Sequence, residues 1–415
     1  MSFVTVKSLS HYDRTVFCPA DKSISVRAVI LAAYAQGESV IKNLSLCDDV
    51  YSAIDCVRRL GASVETVGSE ARIVGARFSG CKLDCGNSAT TARLLIGLLS
   101  GLNGVYELDG DESLRSRPMR RVIEPLAAMG ANIRSDDGRL PVKVVGGALR
   151  GCDYTLPVPS AQVKSALLLA GLNASSAVTV GNCGATRNHT ENMLAAMGAS
   201  VRASDNEACV APSVLHAADL TVPGDASSAA YPICLALALR GRCTVKNVGI
   251  NETRTAYIAL LRSVGADIEY KNVVTGAEPT ADICVSGGAS RPFVIDENLA
   301  PRLIDEIPVL CALACFINGK SVVRGAGELR FKESDRIKTT VQALRALGAD
   351  IAETDDGIVV CGGKKLGFGT VDPHGDHRIA MSAAVAAATG GGARITGSEC
   401  VSVSYPDFFK TGAVL

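Results

Sequence analysis

Apolar residues follow one pattern six times along this chain. In each copy, a helix of small apolar residues is followed by a short β-rich strand and then by a polar loop. Successive strand copies start 65 to 78 residues apart, at Ser39, Gly104, Ala177, Cys243, Ser321 and Ala393. Recurrence at a nearly fixed period indicates that one supersecondary unit is reused.

A second helix in five of the copies is amphipathic and ends at a glycine, the residue that most often follows a helix C-terminus. These glycines are Gly61, Gly130, Gly198, Gly265 and Gly348. The first helix of each copy is instead apolar on nearly every face, as in Leu94–Leu99 and Met381–Ala387. A helix that is apolar all round is buried all round.

The pattern therefore predicts an α/β protein with helices inside and sheets outside. We expect a two-domain inverse α/β barrel of six βαβαββ repeats, three in each domain. A chain of 415 residues suits two such domains better than one core. The predicted N-terminal domain is 20–223. The predicted C-terminal domain is 1–19 plus 224–415, completed by an N-terminal strand at Thr5–Leu9.

Composition excludes several classes of protein. Lys plus Arg and Asp plus Glu both number 42, so the net charge is zero, which disfavours general nucleic-acid or membrane-surface binding. Aromatic residues are only 4% of the chain, which argues against a base-stacking surface. The 15 cysteines include no Cys-x-x-Cys, and the N-terminus has no signal-like segment. We expect free thiols in a cytoplasmic monomer.

Polar capping residues begin the six apolar helices. Free N–H groups and the helix dipole make such starts favourable for anions. Cations lie near the same starts: Lys22, Arg27, Arg93, Lys164, Arg187, Arg336 and Arg378. Because unpaired cations beside positive helix ends are costly without an anion, we expect the two domains to hold small anions in a shared electropositive cleft.

Two acidic segments are open to two interpretations. Asp305–Glu306 either caps a helix or supplies a carboxylate that acts as an acid or base in catalysis. Glu328–Arg336 is either a solvated capping box with Ser334 as the cap or part of a site. Walker A, dinucleotide and His-Glu-x-x-His motifs are absent and the five histidines are dispersed, so no metal and no cofactor are expected.

Seven motifs match one known family in order and spacing. They are Asp21–Arg27, Gly86–Arg93, Arg117–Met119, Pro159–Lys164, Ile304–Glu306, Phe331–Arg336 and Gly375–Arg378. Over nearly its full length the chain resembles the 5-enolpyruvylshikimate-3-phosphate synthases (3-phosphoshikimate 1-carboxyvinyltransferases). The resemblance implies the fold predicted above. It also implies transfer of the enolpyruvyl group of phosphoenolpyruvate to the 5-hydroxyl of shikimate 3-phosphate, with release of phosphate.

The resemblance also assigns residues. Shikimate 3-phosphate would contact Lys22, Ser23, Arg27, Ser160, Ala161, Gln162, Arg187, Asp305 and Lys332. Phosphoenolpyruvate would contact Lys22, Asn87, Ala89, Arg117, Gln162, Arg336 and Arg378. The implied catalytic residues are Asp305 as the base for the 5-hydroxyl proton, Glu333 as the acid for the methylene carbon, and Lys22, which reaches both ligands.

Two positions depart from the pattern of many family members. Ala89 stands where many have Gly, and its methyl group would narrow the phosphoenolpyruvate pocket, so we expect weak inhibition by glyphosate. Val403 stands where many have Lys before an aromatic-Pro-Asp segment, which puts a C-terminal contact to phosphoenolpyruvate in doubt.

Three other functions compete with this interpretation. A UDP-N-acetylglucosamine enolpyruvyl transferase would have Asn where Ser23 stands and a Cys in the loop that here reads Asp111–Arg117. An RNA-end cyclase is disfavoured by zero net charge and scarce aromatics. A non-catalytic anion-binding protein would need the cations but neither Asp305 nor Glu333.

Overall fold

The computed structural model describes residues 2–184 and 186–410, and they form two compact units. One unit is Ala20–Val222, and the other joins residues 2–19 to residues 223–410. The boundary lies one residue before the predicted one at 223.

The strands are short, and most have three to five residues. In chain order they are β1 (Phe3–Val6), β2 (Asp13–Phe17), β3 (Glu38–Lys42), β4 (Ser63–Val67), β5 (Glu70–Val74), β6 (Lys82–Asp84), β7 (Gly104–Asp109), β8 (Asn132–Ser135), β9 (Val142–Gly146), β10 (Asp153–Thr155), β11 (Val178–Gly181), β12 (Val201–Ala203), β13 (Glu207–Val210), β14 (Leu220–Thr221), β15 (Arg242–Gly249), β16 (Asp267–Val274), β17 (Thr280–Ser286), β18 (Val294–Ile295), β19 (Gly319–Val323), β20 (Asp350–Glu353), β21 (Ile358–Gly362), β22 (Gly369–Val371) and β23 (Ala393–Thr396).

The helices alternate with these strands. They are α1 (Lys22–Tyr34), α2 (Asp48–Leu60), α3 (Ala89–Ser100), α4 (Glu112–Ser116), α5 (Arg120–Ala128), α6 (Ala161–Gly171), α7 (His189–Ala196), α8 (Ala226–Ala238), α9 (Ala256–Ser263), α10 (Ala300–Leu303), α11 (Ile307–Ala314), α12 (Arg336–Arg345) and α13 (His377–Thr389), with 3₁₀ turns at Gly327–Phe331 and Ser398–Val403.

Five sheets of the described chain share one four-stranded arrangement, in which the first pair of strands is parallel and the other two pairs are antiparallel. Their strand orders are β14-β3-β5-β4, β6-β7-β9-β8, β10-β11-β13-β12, β2-β15-β17-β16 and β18-β19-β21-β20. The sixth sheet, β22-β23-β1, has the same parallel and first antiparallel pair but lacks the fourth strand. The predicted fold of six repeats is thereby confirmed, with a shortened last copy.

Both ends of the N-terminal segment 2–19 pair with the C-terminal unit. β1 pairs antiparallel with β23, and β2 pairs parallel with β15. The sequence predicted one strand here, at Thr5–Leu9, whereas the structure has two. β14, at the end of the other unit, pairs with β3 near its beginning. Each unit therefore closes through strands that are distant in sequence.

The six predicted apolar helices are α1, α3, α6, α8, α11 and α13, and each is buried over most of its length. The five landmark glycines follow the amphipathic helices with φ between 86° and 116°, a conformation that side chains with a Cβ rarely adopt. This shared geometry explains why the same residue type recurs at the end of each of these helices.

All fifteen cysteines lie in the described part of the chain, and none forms a disulfide there. Burial raises the pKa of Cys243 and that of Cys315 to about 12, so these thiols stay protonated at neutral pH. Within the described residues, no helix combines the length and the apolar character needed to cross a bilayer.

The close packing of α3 on α6 can be tested at Gly97, where the two helices approach each other. A Cβ added there would lie 2.2 Å from the carbonyl oxygen of Ala166 in α6. We expect Gly97→Ala to lower the free energy of unfolding by about 1–3 kcal/mol, as overpacking does, when measured by urea denaturation. Gly147→Ala is the control, because a Cβ there meets nothing within 4 Å. Equal effects of the two variants would contradict close packing of α3 on α6.

Candidate active site

Three helix starts carry most of the predicted residues of the Ala20–Val222 unit, Arg117 and Arg187 being the exceptions. α1, α3 and α6 begin after Asp21, Ser88 and Ser160. Each of these side chains accepts a hydrogen bond from a backbone N–H of the first turn. The remaining N–H groups of each first turn make these starts suitable for anionic groups.

Lys22, the first residue of α1, is held by an acid that the sequence analysis missed. Its Nζ lies 3.1 Å from Oδ2 of Asp49 in α2, and the two side chains are 15% and 6% exposed. The only sequence signal was an acidic pair at the start of an amphipathic helix, which is usually a dipole effect. Asp49 thus positions Lys22.

Arg27 lies one turn further along α1 and is almost fully buried. Its Nε donates to Oγ1 of Thr190 at 2.8 Å, and its Nη2 donates to Oγ of Ser165 at 3.3 Å. Its Nη1 donates to the carbonyl oxygen of Ser23, whose hydroxyl accepts from Arg187 at 3.4 Å. The structure therefore brings Ser23, Arg27 and Arg187 together, and their binding of shikimate 3-phosphate stays a prediction.

Arg117 and Asn87 form a second group in this unit. Nη2 of Arg117 donates to Oδ1 of Asn87 at 2.7 Å, and Nδ2 of Asn87 donates to Oδ2 of Asp111 at 2.7 Å. Ala89 is the first residue of α3 and is 7% exposed. Asn87 and Ala89 lie where the chain leads into α3, and Arg117 reaches Asn87 from the end of α4.

Gln162, in the first turn of α6, contacts the start of α3. Its Nε2 donates to Oγ1 of Thr90 at 3.1 Å, and its Oε1 accepts from Nη1 of Arg93. Nη2 of Arg93 in turn donates to the carbonyl oxygen of Pro118, the residue after Arg117. Arg93 therefore joins Gln162 to the segment of Arg117 and orients both.

Several cations near the helix starts have acidic partners within the protein. The expectation that these cations are unpaired was therefore wrong for them. Lys22 pairs with Asp49, Lys164 pairs with Glu191, and Arg336 pairs with Asp376. Internal carboxylates compensate these charges, so an external anion is not needed for the fold to tolerate them. Sequence reasoning missed this because the partners lie on other elements.

Arg336 is the centre of the site residues in the other unit. It is the first residue of α12 and is 1% exposed. Its Nε donates to Oδ2 of Asp376 at 2.8 Å, its Nη1 to Oδ1 of Asp305 at 3.2 Å, and its Nη2 to Oε2 of Glu333 at 2.5 Å. One guanidinium therefore brings together the predicted base and the predicted acid.

Two more cations approach Asp305. Nε of Arg378 lies 3.5 Å and Nζ of Lys332 lies 4.0 Å from Oδ1 of Asp305. Burial by itself lowers the pKa of Arg336, but the nearby carboxylates, Asp376 first, outweigh burial and raise it. The same balance with Asp305 raises the pKa of Arg378. Both arginines are therefore positively charged at neutral pH.

Asp376 is fully buried, and besides capping a helix as its position predicts, it makes a contact that the sequence did not reveal. Its Oδ1 accepts from the N–H of Arg378 and so caps α13, while its Oδ2 accepts from Arg336. Glu306 is also internal, because its Oε1 accepts from Ser227, and Ser227 and Asp225 both accept from Arg254. Of the pair Asp305–Glu306, Asp305 lies within 4.0 Å of Arg336, Arg378 and Lys332, whereas Glu306 contacts Ser227.

Val403 ends a 3₁₀ turn and is half-buried. The position where many family members have Lys thus supplies no cation. In the described part of the chain, no group of three or more His, Cys, Asp or Glu residues is arranged to hold a metal ion. The predicted residues form two clusters, one in each unit. That the two share a cleft stays a prediction.

The fold and the two clusters define a class of α/β enzyme with paired acidic groups and abundant cations for small anionic substrates. The sequence profile of the family described as EPSP synthase (3-phosphoshikimate 1-carboxyvinyltransferase) matches residues 6–411. The chain belongs to this family.

Individual relatives agree with the family match. The chain is 43% identical to the 3-phosphoshikimate 1-carboxyvinyltransferase of Shouchella clausii, over 97% of this chain and 96% of that protein. It is 46% identical to the enzyme of the same name from Syntrophomonas wolfei, over 94% of each. A solved structure of EPSP synthase from Acinetobacter baumannii matches with a TM-score of 0.85 at 36% identity, over 97% and 96% of the two chains.

The dual contacts of Asp376 lead to a stability prediction. We expect Asp376→Asn to lower the free energy of unfolding by about 2–4 kcal/mol, because Arg336 loses a buried charged partner while the cap oxygen is kept. Urea denaturation measures the change. Asp372→Asn is the control, since Asp372 is exposed and its contacts are with one exposed residue: it accepts from the N–H of His374, and its Oδ2 lies 3.9 Å from Nδ1 of that residue. An Asp376→Asn variant as stable as this control would contradict the assigned interaction.

Proposed function

We propose that this chain transfers the enolpyruvyl group of phosphoenolpyruvate to the 5-hydroxyl of shikimate 3-phosphate and releases phosphate. The observation that carries the proposal is the convergence of Asp305 and Glu333 on Arg336, at 3.2 and 2.5 Å. An acid, a base and an anion-binding guanidinium in one cluster are the groups that this reaction requires.

In the proposed reaction, the 5-hydroxyl oxygen bonds to C2 of phosphoenolpyruvate. Asp305 takes the hydroxyl proton, and Glu333 gives a proton to C3. Phosphate then leaves C2 while C3 returns a proton to the carboxylate of Glu333, which restores the carbon–carbon double bond. Asp305 lies within 4.0 Å of Arg336, Arg378 and Lys332, and these cations favour its ionised form, the form that can accept a proton.

The cations are assigned to the two substrates. Arg117, Arg336 and Arg378, with Asn87, Ala89 and Gln162, bind phosphoenolpyruvate, since guanidinium groups suit carboxylate and phosphate oxygens. Ser23, Arg27, Ser160, Ala161, Gln162, Arg187, Lys332 and Asp305 bind shikimate 3-phosphate, and Lys22 contacts both. Because Arg336 already contacts three carboxylates, phosphoenolpyruvate must share or replace some of these contacts.

The reaction is tested by phosphate release. We expect release only when both substrates are present, and none when UDP-N-acetylglucosamine replaces shikimate 3-phosphate. Asp305→Asn and Glu333→Gln should each lower kcat by about 100-fold or more, as loss of a general acid or base does. Glu328→Gln, an acid of the same segment outside the predicted set, should leave kcat unchanged.

Full activity of Asp305→Asn or of Glu333→Gln would refute the role assigned to that residue. Phosphate release that depends on only one substrate would refute the proposed reaction.

The proposal includes weak inhibition by glyphosate. Ala89 is the first residue of α3 and is largely buried, in the loop of Asn87. Its methyl group is positioned to take space beside phosphoenolpyruvate. A small loss of space can discriminate between two ligands of similar charge if one of them extends further into the pocket.

We expect Ala89→Gly to lower the glyphosate inhibition constant by about tenfold or more, which corresponds to about 1.4 kcal/mol, because the methyl group is removed. The measurement is inhibition against phosphoenolpyruvate. Ala127→Gly, on the exposed face of α5 in the same unit, is the matched control for an Ala-to-Gly change in a helix. Equal inhibition constants for wild type and Ala89→Gly would refute the steric account.

We also propose that the enzyme is a cytoplasmic monomer that needs no metal or cofactor. The cytoplasmic location is supported by the free thiols. Size-exclusion chromatography with light scattering tests whether the protein is a monomer. Phosphate release in the presence of a chelator tests whether it needs a metal.

A further inference from the structure

We propose that Lys164 and Glu191 are positioning residues for the shikimate 3-phosphate contacts of the Ala20–Val222 unit. The inference rests on the proposed function and adds a specificity role for a buried ion pair that the reaction itself does not use. The pair joins α6 to α7. The start of α6 carries residues predicted to bind the substrate, and Arg187, also predicted to bind it, lies just before α7.

The geometry of the pair is tight and internal. Nζ of Lys164 lies 2.5 Å from Oε1 of Glu191, and both side chains are 3% exposed. Oε2 of Glu191 is buried and has no hydrogen-bond partner in the described structure. Because both charges are sequestered, the pair acts on a ligand only through the residues that it positions.

A second contact between the same helices lies directly beside the pair. Ser165 follows Lys164, Thr190 precedes Glu191, and their hydroxyl oxygens are 2.7 Å apart. Arg27 of α1 donates to both hydroxyls, at 3.3 Å and 2.8 Å. The ion pair and the hydroxyl pair together hold α6 against α7, and Arg27 is oriented by the second of these contacts.

The same two helices determine where the other predicted contacts lie. Ser160 and Gln162 belong to the start of α6, and Arg187 lies two residues before α7 and donates to Ser23 of α1. A shift of α7 relative to α6 therefore changes the spacing among Arg27, Arg187 and Ser160. A displacement of about 1 Å in a binding group can cost a factor of about 100.

The charges suit a positioning role better than a stabilising one. A buried ion pair often stabilises a protein no more than an apolar pair of similar volume does. Removing one partner alone, however, strongly destabilises the protein, because the other charge stays buried without compensation. Apolar side chains can repack with small shifts, whereas a charged pair at 2.5 Å restricts the two helices to one register. Replacing both charged residues by apolar ones distinguishes positioning from stabilisation, because no unpaired charge is left buried.

The first experiment compares wild type with Lys164→Met/Glu191→Met. We expect shikimate 3-phosphate, titrated alone by calorimetry, to bind about tenfold more weakly or worse. KM for shikimate 3-phosphate should rise in parallel, while KM for phosphoenolpyruvate and kcat stay within about threefold of wild type. Lys82→Met/Glu107→Met removes an exposed pair of the same unit and should change none of these values.

A folded double variant that binds shikimate 3-phosphate like wild type overturns the proposal. Equal loss in kcat and in both KM values also overturns it, because that result indicates general damage to the structure. If the double variant does not fold, Glu191→Gln replaces it: the side-chain length is kept, and weaker binding of shikimate 3-phosphate alone is again expected, with wild-type binding overturning the proposal.

Lys164→Arg keeps the charge pair and should retain most of the wild-type affinity, which a role for side-chain volume alone does not predict. A wild-type protein that neither binds shikimate 3-phosphate nor releases phosphate contradicts the proposed function itself. An active wild type with unaffected variants contradicts only the positioning role.

Discussion

The C-terminal site depends on one buried charge. The guanidinium of Arg336 is 1% exposed and contacts Asp376, Asp305 and Glu333. A buried guanidinium without carboxylate partners would be very costly. The charge therefore holds together the starts of three elements, namely the turn before α11, the start of α12 and the cap of α13. The arrangement of the three carboxylates around Arg336 is thus required for the stability of the fold as well as for the proposed reaction.

The N-terminal unit meets the same requirement differently. Arg27 is buried against two hydroxyl groups and a carbonyl oxygen, whereas Lys22 and Lys164 each have a carboxylate on another helix. In the other unit, by contrast, three carboxylates contact one arginine, Arg336.

Much of the fold could be predicted because its signals are local. Apolar helices, β-rich strands and C-terminal glycines recur within each repeat, and the six strand copies correspond to β3, β7, β11, β15, β19 and β23. The N-terminal segment was harder: one strand was predicted, and β1 and β2 both join the C-terminal unit. Pairing of such short strands is decided by partners more than 200 residues away, which local patterns do not report.

The sequence by itself determined the repeat, the helix starts and the identity of the residues that resemble a known site. Tertiary structure alone decided which of them touch, and it showed Asp49, Asp376 and Glu191 to be the partners of Lys22, Arg336 and Lys164. The physical reason is that a charge is satisfied by whichever group packing brings within about 3 Å. These partners lie on different helices, so their pairing exists only once the apolar helices have packed together.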